Sequence, residues 1–86
     1  MSKVEIYTTM RCPYCTAAKR LLQGKAVAYI EHDVTVNLSA RAQMTARAGG
    51  RTSVPQIFVG DTHVGGFDDL NTLERAGGLD KMLTPA

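Results

Sequence analysis

The chain has 86 residues, 44% of them hydrophobic and 21% charged; this allows one small core, and two domains would each be too short to bury one. Ten Lys and Arg against eight Asp and Glu leave a formal charge of +2, which disfavours a dedicated nucleic-acid binder because phosphate binding needs positive charge gathered on one face. The longest unbroken apolar stretch, residues 26–30, has five residues, whereas a membrane-spanning helix needs roughly 20. The chain runs from Met1 through Lys3 straight into Val4-Glu5-Ile6-Tyr7 with no apolar targeting stretch. A cytoplasmic protein with no membrane partner is expected.

Residues 4–8 are β-branched and aromatic and run into Thr9-Met10-Arg11, so they predict a strand followed by a tight turn. Cys12-Pro13-Tyr14-Cys15 then opens a helix: Pro13 suits its first position, Cys15, Ala18 and Leu22 recur at helical spacing, and Gly24 is placed to cap its end. Residues 27–33 predict a second strand, parallel to the first because a helix crosses between them. Residues 38–48 predict a second helix, with Asn37 or Ser39 as N-cap, Gly49-Gly50 as terminator and a weak stripe of Ala40, Met44 and Ala48.

Val54-Pro55 introduces the strand Gln56-Ile57-Phe58-Val59, and Gly60-Asp61 turns it into a short partner, Thr62-His63-Val64. Gly65-Gly66 ends that hairpin. A third helix begins at Phe67-Asp68-Asp69-Leu70, with acidic residues at its positive end and Gly77-Gly78 closing it, and a last turn or short helix covers residues 79–83. With no repeat or linker, residues 1–86 read as one α/β domain of order βαβαββα, a mixed four-stranded sheet with helices on both faces.

The sulfur is concentrated in one place: Cys12 and Cys15 are the only cysteines, three positions apart. They cannot staple distant segments, so they serve chemistry or metal binding. Cys12 falls where a strand ends and a helix begins, so unpaired backbone N–H groups favour its thiolate and make it the candidate nucleophile. Cys15, one turn inward, is the candidate resolving thiol, able to attack a mixed disulfide at Cys12. Arg11 adds positive charge beside the nucleophile or, by default, is a solvated surface cation.

Two Cys and two His match the count of a zinc site but not its spacing, because His32 and His63 stand 31 residues apart in different predicted strands. No metal site is expected, and each His reads as a surface or strand-end residue. An iron–sulfur cluster would need further thiolates from a second chain or from small thiols. Pro55 is either an ordinary strand-start proline or the site of a cis bond that presents the Val54 backbone to an extended thiol-bearing chain. Gly65-Gly66-Phe67-Asp68-Asp69 lets a ligand approach closely and offers helix-start N–H groups to a carboxylate, with an aspartate for an amine; the plain alternative is an Asp N-cap after a Gly turn.

Three separated segments, Cys12-Pro13-Tyr14-Cys15, Ser53-Val54-Pro55 and Gly65-Gly66-Phe67-Asp68-Asp69, make the chain resemble the dithiol glutaredoxins of the thioredoxin superfamily over nearly its whole length. The resemblance implies a thioredoxin-like fold with strand order 2-1-3-4, Pro55 cis beside the thiols, and glutathione as reducing co-substrate with no covalently bound cofactor. It implies a glutathione site of Arg11, Tyr14, Val54, Pro55, Gly66, Phe67, Asp68 and Asp69, with the Val54 backbone pairing with the tripeptide and Asp69 at its γ-glutamyl end.

The implied enzyme is a glutathione-disulfide oxidoreductase, a monomer acting on disulfide-bearing or glutathionylated proteins, with ribonucleotide reductase among the candidates. Ser53 stands where the family usually has Thr, and Thr9 where many dithiol members have Lys. The alternatives are a glutathione-ligated iron–sulfur dimer and a redoxin reduced by thioredoxin reductase.

Overall fold

Two neighbouring strands, Val4–Thr8 and Gln56–Val59, buried on both faces, organise the molecule. The computed structural model describes residues 3–83, and the ends of the expected 1–86 domain, 1–2 and 84–86, lie outside the described residues. The elements are β1 (Val4–Thr8), α1 (Pro13–Gly24), β2 (Ile30–Asp33), α2 (Leu38–Arg47), β3 (Gln56–Val59), β4 (Thr62–Gly65), α3 (Phe67–Arg75) and α4 (Gly78–Leu83). The strands lie in the expected order β2-β1-β3-β4, with β1 parallel to β2, also as expected, and antiparallel to β3. None of the described helices is long and apolar enough to cross a membrane.

Because side chains alternate across a strand, Val4 and Ile6 of β1 join Ile57 and Val59 of β3 on one face. There they meet Ala18 and Leu22 of α1, Leu70 of α3 and Leu79 of α4. Tyr7 and Phe58 point the other way and pack with Val34, with Met44 of α2 and with Ala48, which caps that helix. At the end of α1, Lys25 Nζ lies 2.9 Å from Glu74 and 2.6 Å from Asp80, joining three helices.

Several boundaries differ from the sequence reading. Gly24 is the last residue of α1 rather than its cap; the left-handed residue is Ala26, at φ 57°. The Ala26 N–H bonds to the Gln23 carbonyl at 3.0 Å and the Val27 N–H to the Leu22 carbonyl at 3.0 Å, the paired bonds of a Schellman ending. The Val27 amide is thus used by the helix ending, and β2 begins at Ile30 rather than at residue 27. Gly65 belongs to β4 and Gly78 to α4, whereas the sequence suggested breaks at both. Asn37 is the α2 cap, its side chain accepting from the Ala40 N–H at 3.0 Å.

The histidines are not plain surface residues. On the α2 side of the sheet, the Glu5 carboxylate lies 3.1 Å from His32 Nε2 and 3.1 Å from Arg47 Nη2. Arg47 also donates to the Tyr7 hydroxyl at 2.9 Å, and its guanidinium lies 4.1 Å from the Phe58 ring centre. Burial alone would raise the Glu5 pKa, but hydrogen bonds from Arg47 and His32 outweigh it and hold the carboxyl below its ordinary value. A lowered carboxylate pKa stabilises the fold above the ordinary glutamate range, and this contribution disappears as pH falls through the folded value. Glu5→Gln should therefore flatten the loss of stability below about pH 5, as measured by urea unfolding at stepped pH; an unchanged acid limb would show that the carboxylate does not contribute.

Candidate active site

The loop leaving β1 delivers two thiols to the start of α1. Arg11 adopts a left-handed φ of 57°, and Cys12 follows in extended conformation as the helix N-cap. In place of the usual hydroxyl or carboxylate, Cys12 Sγ accepts the Cys15 N–H at 3.1 Å. Pro13 occupies the first turn, where its missing N–H leaves no bond unmade. A backbone donor aimed at a sulfur favours negative charge on it over a site with no such donor.

Both cysteines are free, Cys12 partly exposed and Cys15 only 2% exposed. Burial, and then the neighbouring Cys12 sulfur, push the Cys15 thiol up to about 12. The two thiols are thus chemically unequal, the accessible one at the helix cap and the protonated one behind it.

Across from Cys12 lies the loop before β3. Val54-Pro55 is cis, so the plainer reading of Pro55 is set aside. The Val54 carbonyl lies 3.9 Å from Cys12 Sγ. A cleft of about 390 Å³ extends from here, one wall formed by Ser53, Val54 and Pro55 and the other by Gly66, Phe67, Asp68 and Asp69. Tyr14 and Arg51 complete it, and the Tyr14 and Phe67 rings stack with centres 6.3 Å apart.

The helix cap differs from the Asp cap anticipated. Gly66 is the N-cap of α3, and Asp69, three residues on, reaches back to accept the Gly66 N–H at 3.0 Å. The same Asp69 oxygen takes Arg51 Nη1 at 3.2 Å. The Gly66 amide first and Arg51 second hold the Asp69 carboxyl below its ordinary range. Asp68 is exposed at the mouth, beside first-turn amides that have no intrahelical partner.

Seven of the eight residues expected around the ligand line this one cleft; Arg11 does not, and stays exposed on the β1–α1 loop. Arg51 is the residue that the sequence reading missed. Its only sequence signal is a position four residues before Pro55.

A thioredoxin-like fold with a dithiol at the first helix start and a cis-proline loop beside it is the class defined here. The glutaredoxin family model matches residues 4–64. A glutaredoxin of Pseudomonas aeruginosa is 54% identical, the match covering 98% of this chain and 99% of the relative. The solution structure of a Brucella melitensis glutaredoxin is 48% identical with a TM-score of 0.84, covering 96% of this chain and 89% of that one. The crystal structure of a buckwheat glutaredoxin–glutathione complex is 25% identical with a TM-score of 0.85, covering 95% of this chain and 76% of that one. The chain belongs to the glutaredoxin family, and its activity is glutathione-dependent thiol-disulfide exchange.

Two outcomes follow from this geometry. Iodoacetamide at pH 7–8 should add one carbamidomethyl group, at Cys12, because Cys15 is buried and its thiol is pushed up to about 12; peptide mass spectrometry locating the adduct on Cys15 would contradict the assignment. Gly65 has φ 120°, and a Cβ there would fall on the Asp69 carboxylate. Gly65→Ala should cost more than about 1 kcal/mol in urea unfolding by displacing the α3 cap, and a neutral result would show that the cap tolerates the move.

Proposed function

We propose that the cleft holds glutathione in extended form with its sulfur at Cys12, and that Cys12 and Cys15 divide the exchange chemistry between them. The observation that carries this reading is Val54, whose carbonyl faces Cys12 Sγ while the residue itself forms part of the cleft wall. An extended tripeptide pairs with backbone groups, so one lying along Val54 brings its cysteine to the nucleophile. The first amides of α3, at Phe67 and Asp68, receive the γ-glutamyl carboxylate, and the exposed Asp68 carboxylate takes the amine. Asp69 acts through the helix cap it maintains. Tyr14 and Phe67 cover the thiol end, Pro55 and Gly66 shape the floor, and Arg51 supplies positive charge for a ligand with two carboxylates. Arg11 is proposed as a rim cation beside Cys12, outside the cleft.

The steps balance through thiol exchange. Cys12 thiolate attacks a disulfide sulfur of the substrate, forming a mixed disulfide and releasing one substrate thiolate. When the partner is a protein disulfide, Cys15 gives up its proton and attacks the Cys12 sulfur, releasing the second substrate thiol and leaving Cys12–Cys15 oxidised. One glutathione thiolate opens that bond to a Cys12–glutathione disulfide, and a second glutathione takes the glutathionyl group away as oxidised glutathione. A glutathionylated protein needs Cys12 alone. The proposed setting is one domain acting as a cytoplasmic monomer on glutathionylated and disulfide-bearing proteins, ribonucleotide reductase included.

The test is NADPH consumption with glutathione, glutathione reductase and a small glutathione mixed disulfide, beside NADPH with thioredoxin reductase alone. Turnover is expected only in the first. Cys15→Ser should retain that activity and lose reduction of a protein disulfide, while Cys12→Ser should lose both, typically by more than 10³-fold; an active Cys12→Ser protein would refute the division of roles.

A further inference from the structure

We infer that His63 and Gln56 are positioning residues for thiol exchange, forming a hydrogen-bonded brace that sets the loop carrying Val54. Neither side chain lines the cleft beside the thiols. Gln56 opens β3 and is fully buried. Its Nε2 donates to the Ser53 carbonyl at 3.0 Å and reaches the Ser53 hydroxyl at 3.3 Å, both within the loop that contains the cis peptide. Its Oε1 lies 2.7 Å from His63 Nε2 on β4.

A primary amide has two ends, and these contacts fix which way it faces. An amide oxygen only accepts, so His63 Nε2 carries the proton and donates. His63 is itself held in place: its ring stacks on Phe58 with centres 4.9 Å apart and planes 27° from parallel, and Phe58 lies under the Arg47 guanidinium. Burial, with the Arg51 and Arg47 charges adding to it and Asp69 opposing, lowers the His63 pKa and favours the neutral ring, whose single proton is the one used. The order of contact runs from Phe58 through His63 and Gln56 to Ser53, one residue before the carbonyl that faces Cys12.

Without the His63 donor, Gln56 Oε1 is buried with no partner, a state that costs more than the bond itself contributes. The amide then turns over or withdraws, and the Ser53 carbonyl loses the donor that holds it. The Val54 backbone loses its fixed position, while Cys12, capped by the Cys15 amide on α1, keeps its own. The inference rests on the proposed pairing of glutathione with Val54. It adds that the pairing is set by a side chain two strands from the thiols.

The experiment is steady-state turnover of a small glutathione mixed disulfide with glutathione varied, together with thermal unfolding of each protein. His63→Phe keeps a flat ring on Phe58 and removes the donor; His63→Gln restores a donor without the ring. His63→Phe should raise the KM for glutathione about 3- to 10-fold with kcat within twofold of the parent, and His63→Gln should recover most of it. An unchanged KM in His63→Phe, or a His63→Gln protein no better than His63→Phe, would overturn the brace, as would KM and kcat worsening together in step with lowered thermal stability. Arg51→Ala, in the cleft wall, separates the two levels. If it raises the KM while His63→Phe does not, only the brace is wrong; if the parent shows no saturation by glutathione, the cleft assignment fails and the brace with it.

Discussion

The pairing of β1 between β2 and β3 is the constraint on which the rest of the structure depends. All five residues of β1 are buried, so the strand cannot slip by one position without exchanging its two faces. The register places Tyr7 opposite Gln56 and Thr8 opposite Asp33. Chain direction does the rest: β1 and β2 end together, and antiparallel β3 begins where β1 ends. The thiol loop and the cis-proline loop therefore come together at one end of the sheet, although they are more than 40 residues apart in sequence.

The two faces of the sheet do different work. The buried core on the face toward α1, α3 and α4 is aliphatic, and its ion pairs, Lys19–Glu31 and Lys25 with Glu74 and Asp80, lie at its margins. The face toward α2 carries Glu5, Tyr7, Arg47, His32, Phe58 and His63 in one continuous set of ion pairs, hydrogen bonds and ring contacts. A partly buried set of this kind holds best when its members are satisfied together, and among the described residues no buried side-chain polar atom lacks a partner. Directional contacts on that face hold the loop beside the thiols in one position, which close packing of aliphatic side chains alone does less well.

Much of this was legible in the residues. The strands Val4–Thr8 and Gln56–Val59, the Cys-Pro-x-Cys helix start and the start of α3 at Phe67 each have a local cause and stand where the sequence places them, whereas β2 begins three residues late and Gly65 is the last residue of β4. The C-terminal end of α1 was not legible, because Ala26 adopts a conformation whose usual marker is glycine. Arg51 and the partners of His32 and His63 were equally hidden, because their roles arise from strand register and have no local signal. Asp69 lay between these cases: its proximity to the site could be read from the motif, but its bond to Gly66 depends on the extended backbone of that one residue.

Lys25 joins the end of α1 to α3 and to the six-residue α4, far from where α1 begins at Cys12. At that same end of the sheet, the Lys3 carbonyl accepts the Gly60 N–H of the β3–β4 turn at 2.7 Å. The start of the described chain thus sits at the pole opposite the sulfur, and α4 is tied to the far end of α1 through Asp80. A segment attached ahead of β1 would emerge beside the β3–β4 turn and leave the reactive pole open.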